Sequence, residues 1–105
     1  MDMDSILKRA QEFQHQMSKK QEELAGRTVT SSVGGGMVTV VVNGKFEVVS
    51  LRIEKEAIDP NDPAMLQDLV VSAVNDAMRK AKEMTQSELA RLTGGLGLNL
   101  PGMFG

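Results

Sequence analysis

The chain has 105 residues, enough for one hydrophobic core and too few for two. Its 12 Lys and Arg stand against 14 Asp and Glu, a formal charge of −2, and 41% of the residues are apolar, so a folded domain is expected. The absence of Cys and the single histidine, His15, exclude disulfides, thiolate metal sites, a Cys nucleophile and any two-His metal motif. The aromatics are three Phe, too few for a platform that stacks single-stranded nucleic acid. A binding or structural module is expected, not an enzyme, with no cofactor, no metal and no small-molecule substrate. The N-terminal MDMDSILKR has no apolar signal core, and no run is long enough to span a bilayer. A cytoplasmic protein without membrane contact is therefore the expectation.

Residues 5–25 predict an amphipathic helix, with Ser5 as N-cap, Asp2 and Asp4 flanking its positive end, and Gly26 as the stop. Ile6, Ala10, Phe13, Met17 and Leu24 recur at steps of four and three, a heptad seam with Lys20 standing at one apolar position. So short a seam needs a second surface to pack on. Residues 27–54 then read as strand, Gly34-Gly35-Gly36 break, strand, Asn43-Gly44 turn and strand. Asn-Gly is a two-residue hairpin signal because both turn positions take positive φ. In the third strand Phe46 and Val48 alternate in one phase, and Val49, Leu51 and Ile53 in the other. A bulge near Val48 or a two-sided strand would produce that slip. The resulting meander has open edges that invite a second copy.

After the connection AIDPNDP, Asp62 is expected to cap a long helix that starts at Pro63 and extends as far as Leu92. Leu66, Leu69, Val70, Ala73, Val74, Ala77, Ala81 and Met84 form its apolar stripe. Ser87, Glu88 and Arg91 continue the same face, so the second half is expected to project into water or against a partner. The domain is thus placed at residues 1–93. Residues 94–105, GGLGLNLPGMFG, form a Gly- and Leu-rich tail, read either as a flexible end or as a peptide that docks on its own dimer or on another protein.

Charge is polarised along the chain. Lys8, Arg9, Lys19 and Lys20 face Glu12, Glu22 and Glu23 on the first helix, a local +1, with Lys8 and Lys19 opposite the seam. On the long helix Arg79, Lys80, Lys82 and Arg91 face Asp76, Glu83 and Glu88, again +1, whereas residues 45–68 carry a net −3. Charge alone fits an ordinary solvated helix face, since nucleic-acid domains are usually clearly basic. His15 reads as a surface histidine. Gly34-Gly35-Gly36 lacks the helix and the Lys-Ser/Thr that a phosphate cradle uses. Glu54, Glu56, Asp59 and Asp62 match no calcium loop, and Ser31 and Ser32 have no base beside them in the sequence. An open pair of helices with Met17, Met78, Met84 and Met103 would also suit a protein- or peptide-interaction module.

In their order and spacing, Leu7-Lys8-x-Ala10-Gln11 continuing to Met17 and Gln21-Glu22-Glu23-Leu24, then GGGMVTVVVNGKFEV at 34–48, then LQDLVVSAVNDAMRKA at 66–81, and the Gly-Leu-Pro-Met tail resemble the YbaB/EbfC family of bacterial nucleoid-associated proteins. The resemblance covers nearly the whole chain. It implies an α/β (α+β) domain of N-terminal helix, three-stranded antiparallel sheet and long C-terminal helix. It also implies a tweezer-like homodimer that binds double-stranded DNA in the nucleoid, without catalysis, and affects chromosome organisation and gene expression. The family's basic helix positions fall on Lys8, Arg9, Lys19, Lys20, Arg79, Lys80 and Lys82 as candidate DNA contacts. Such contacts would neutralise phosphates, with weak, shape-based sequence preference. The net charge of −2 departs from that of a strong DNA binder and bears on affinity rather than on fold.

Overall fold

A computed structural model describes residues 2–95. Helix α1 (Met3–Gly26), strands β1 (Thr28–Val33), β2 (Val38–Asn43) and β3 (Val48–Ile53), a single 3-10 turn (Lys55–Ala57) and helix α2 (Pro63–Gly95) follow in chain order, the α+β arrangement expected. The start of α1 differs from the expected one. Asp2, not Ser5, is the N-cap, and its Oδ1 accepts the Ser5 backbone N–H at 2.8 Å. A carboxylate there satisfies a donor that the helix leaves open and also faces the positive helix end.

The three strands pair antiparallel in the order β1-β2-β3. Gly34, Gly35 and Gly36 all have positive φ and join Val33 to Val38 in a tight turn, with the Gly36 N–H donating to the Val33 carbonyl at 3.2 Å. Three such residues in a row are comfortable only for glycine. The second turn is not the two-residue Asn-Gly type. Its loop is Gly44–Phe46, the Phe46 N–H donates to the Asn43 carbonyl at 3.0 Å, and Phe46, at φ 63°, is the residue in the left-handed region. Asn43 builds the turn with its side chain, whose Oδ1 accepts the N–H groups of Lys45 at 2.9 Å and Glu47 at 3.1 Å. Gly44 is required for a different reason: a Cβ there would lie 2.3 Å from the Leu24 carbonyl oxygen. One residue further on, Val42 pairs with Val48 and Val41 with Ser50, so Val49 is the extra residue of a β-bulge.

Asp62 caps α2 as expected, its Oδ1 accepting the Met65 N–H at 3.2 Å. The helix continues past Leu92 through Gly94 and Gly95. The remainder of the tail, Met103 included, lies outside the described residues. Val38, Val40 and Val42, spaced by two, are fully buried against Ala73, Ala77 and Ala81, spaced by four. The alanines let helix and sheet approach closely. Each buried valine contributes about 1.5–3 kcal/mol by leaving water. Ser31, also on the buried face, donates its hydroxyl to the Asp76 carboxylate, and so a polar group in the core is satisfied.

Helix α2 lies over β1 and β2. Lys80 reaches the Thr30 carbonyl on β1 at 3.1 Å, which puts the opposite flank of α2, with Val71 and Met78, beside β3. No helix covers β3. Leu51 pairs with buried Val40 and shares its face, yet it is 46% exposed; Val71 is 58% exposed, and Val48, Val49 and Ile58 are exposed too.

Helix α1 leaves the body. Leu24 is buried where α1 meets α2 and the β2–β3 turn, while most of α1 is exposed. Lys20, one turn back on α1, meets Glu88, one turn beyond Thr85 on α2, so the two helices run antiparallel. The molecule measures 70 × 23 × 16 Å. At 1.5 Å per residue α2 accounts for about 50 Å of that length, and the N-terminal turns of α1 supply the rest beyond its end. The radius of gyration, 19.3 Å, far exceeds the roughly 13 Å of a compact chain of this length.

Gly44→Ala should push α1 off the hairpin and cost about 1–3 kcal/mol, as other forced overpacking does. A urea titration against the parent protein measures it; an unchanged midpoint would show that the corner can yield.

Candidate nucleic-acid interface

The seven basic candidates fall into two groups. Lys20, the odd member of the α1 seam, holds the Glu88 carboxylate at 3.0 Å and Glu23 at 3.5 Å, and its side chain is 26% exposed. Arg79 grips Asp76 at 2.7 Å and Glu83 at 2.9 Å along one turn of α2. Lys80 lies 3.6 Å from Asp76 in addition to its bond to Thr30. Those three cations are occupied within the fold. Lys8, Arg9, Lys19 and Lys82 are exposed and form no ion pair among the described residues.

Glu88 is the centre of the occupied group. The expectation that its face projects into water or against a partner is corrected by the structure: Glu88 is buried against α1 of the same chain. Besides Lys20 it binds Arg27 at 2.7 Å and Arg91 at 3.4 Å. Hydrogen bonds from Lys20 and then Arg27 hold its carboxyl down from 4.5 to about 2. Asp76 is lowered from 3.8 to about 2, first by the Ser31 hydroxyl and then by Arg79. The signal for Lys20 was its place in an apolar seam, but nothing in the sequence pointed to Glu88 as its partner.

Lys8 and Lys19 share one side of the arm, with Arg9 about a quarter-turn round toward the seam. Shallow grooves run past Lys8, Gln11, Glu12 and His15, and onward past Ser18, Lys19 and Glu22. Lys8 and Lys19 are about 16 Å apart along the axis, three turns of helix. One strand of duplex DNA presents a phosphate every 3.4 Å of axis, so the pair spans about five phosphates. Lys82 lies instead on the flank of α2 that carries Val71, next to the open side of β3. Lys45, free of ion pairs among the described residues, caps the hairpin beside the α1–α2 corner and was not among the candidates.

Comparison with known proteins bears on what such an arm serves. Residues 1–96 match the model of the YbaB/EbfC DNA-binding family. The chain belongs to that family. A nucleoid-associated protein of Ruminiclostridium cellulolyticum is 48% identical over 103 residues, covering 98% of this chain and 89% of the relative. One from Syntrophobacter fumaroxidans is 52% identical over 95 residues, covering 88% of this chain and 86% of its own length. The crystal structure of an uncharacterized Helicobacter pylori protein, HP0035, superposes with a TM-score of 0.79 at 27% identity, over 88% of this chain and 97% of that one. No helix of the described residues in this YbaB/EbfC member is long and apolar enough to cross a membrane.

The two lowered carboxyls give the family member an acid limit. Both bind protons less readily folded than unfolded, so they stabilise the fold above the ordinary carboxylate range and lose that effect as pH falls through it. Urea midpoints should stay level from pH 7 to about 5 and decline toward about 2. Glu88→Gln should lower the neutral midpoint and flatten part of the decline; a decline of unchanged depth would remove Glu88 from the account.

Proposed function

We propose that this chain is a nucleoid-associated protein that binds duplex DNA as a homodimer, mainly through phosphates, with weak sequence preference. The observation that carries the reading is the α1 arm: in a chain of a DNA-binding family, it presents Lys8, Arg9 and Lys19 to solvent while Lys20, Arg79 and Lys80 are spent on internal pairs. Each cation set against a phosphate releases a condensed counterion, which favours binding at low salt. The cations of the arm suit phosphates, and its only aromatic among the described residues is Phe13 on the seam, so in this reading shape sets most of the preference. Lys20, Arg79 and Lys80 act through the fold, and Lys82 lies nearest the junction between two copies.

The dimer of this reading would form at β3. It is an edge strand with unpaired backbone donors and acceptors, and Val48, Val49, Leu51 and Val71 form an apolar surface beside it. A second copy would pair that edge and cover that surface, and it would double the arms for each particle. Coating DNA in this way places the protein in the nucleoid and ties it to chromosome organisation and gene expression.

A gel shift on duplex DNA at about 50 and about 200 mM salt, with RNA as competitor, tests the reading. Binding should fall steeply with salt and survive the RNA. Lys8→Glu with Lys19→Glu should keep the fold and lower the salt slope by about 1 for each phosphate contact removed. Unchanged binding would move the interface off α1, and no binding at low salt would favour a protein-interaction module. For the dimer, sedimentation should give twice 11.4 kDa for the parent, and Leu51→Glu should return a single 11.4 kDa chain without loss of helix. A dimer that survives Leu51→Glu would place the interface elsewhere.

A further inference from the structure

The α1 seam is only half covered. At Leu24 and Lys20 it lies on α2, and it continues through Met17, Phe13, Ala10 and Ile6 along the same side of the helix. A shallow open groove of about 560 Å³ runs along Ala10, Phe13, Met17 and Gln21. Ile6 is 47% exposed and Leu7 53%. Beyond Glu88, α2 continues for seven residues to Gly95, about 10 Å, and because the helices are antiparallel this brings its end level with Phe13. Ile6 lies about 10 Å further along the seam.

The chain leaves α2 at that point with residues 96–105 still to come, a reach of up to about 33 Å. Leu96, Leu98 and Leu100 alternate, so extended backbone would set them on one side about 7 Å apart. The seam residues Phe13, Ala10 and Ile6 recur at about 4.5–6 Å, close enough in spacing for three leucines to follow three seam positions.

We propose that the segment 96–105 of the same chain docks on the exposed seam of α1, with Leu96 near Phe13, Leu98 near Ala10 and Leu100 near Ile6. Three observations favour it over a second copy. The segment is tethered where the uncovered seam begins, so its local concentration is high. It carries no charged side chain to desolvate, and Leu96, Leu98, Leu100, Met103 and Phe104 make it as apolar as the seam it would cover. Seated there, it continues the α1–α2 packing, stiffens the arm and leaves Lys8 and Lys19, on the opposite side, facing outward.

The absence of Cys in the natural chain gives a clean test by disulfide trapping in the full-length protein. Ile6→Cys with Leu100→Cys should oxidise within one chain at least about tenfold faster than Lys8→Cys with Leu100→Cys. Lys8 lies no further along the arm but on its other side, so an undocked segment would reach both sites alike. Equal rates overturn the proposal. So does a disulfide that forms between chains when two differently tagged copies are mixed, an outcome that would give the seam to a second copy. Leu98→Ser with Leu100→Ser should raise amide exchange across residues 6–13 about tenfold, and unchanged exchange also overturns it. Neither readout involves DNA, so the result is independent of the proposed nucleic-acid binding.

Discussion

The direction of the α1 arm is fixed by one corner. There the Gly44 N–H donates to the carbonyls of Leu24, at 3.0 Å, and Arg27, at 3.1 Å, while Glu88 gathers Lys20 and Arg27 from the end of α1. The Leu24 backbone approaches the hairpin so closely that only glycine fits, and the buried carboxylate needs both cations to compensate its desolvation. Every property of the arm depends on this corner, because little else ties α1 to the body. The charged group there supplies orientation more than stability. An apolar trio of similar shape would hold the helices together, but a hydrogen-bonded carboxylate also limits how they can slide or turn.

Which parts of this were legible in the sequence depends on how local the cause is. Strand and helix positions came through because their causes are short-range: valines spaced by two, alanines spaced by four, Asp62 ahead of Pro63, three glycines in a row. The slip of alternation at Val48 and Val49 correctly marked the bulge. The turn at Asn43-Gly44 was found for a partly wrong reason. Asn43 does build it, but the glycine answers to a helix distant in the chain, and Phe46 takes the left-handed position.

The candidate site was legible in part and for the same cause. Arg79 with Asp76 and Glu83 follows three- and four-residue spacing, so its pairing can be read from the helix alone. Lys20 with Glu88 joins two helices through tertiary packing, and no periodicity reveals it. Serine at position 31 has no base beside it in sequence, yet the fold brings Asp76 to it, in a part-buried hydrogen bond.

A net charge of −2 is compatible with a nucleic-acid surface because the charges are sorted by the fold. Half of the 12 cations are paired within the described structure: Lys20, Arg27, Arg52, Arg79, Lys80 and Arg91. The acidic linker lies on the body, around the 3-10 turn, and it is the projecting part of the arm that carries Lys8 and Arg9 away from it. With a screening length near 8 Å at physiological salt, Lys8 and Arg9, beyond the end of α2, are largely shielded from the carboxylates of the linker. In the proposed complex a phosphate backbone would therefore respond to the local charge of the arm and not to the sum over the chain. Elongation serves the electrostatics: a compact fold of the same composition would bring the acidic linker within a screening length of every lysine it has to offer.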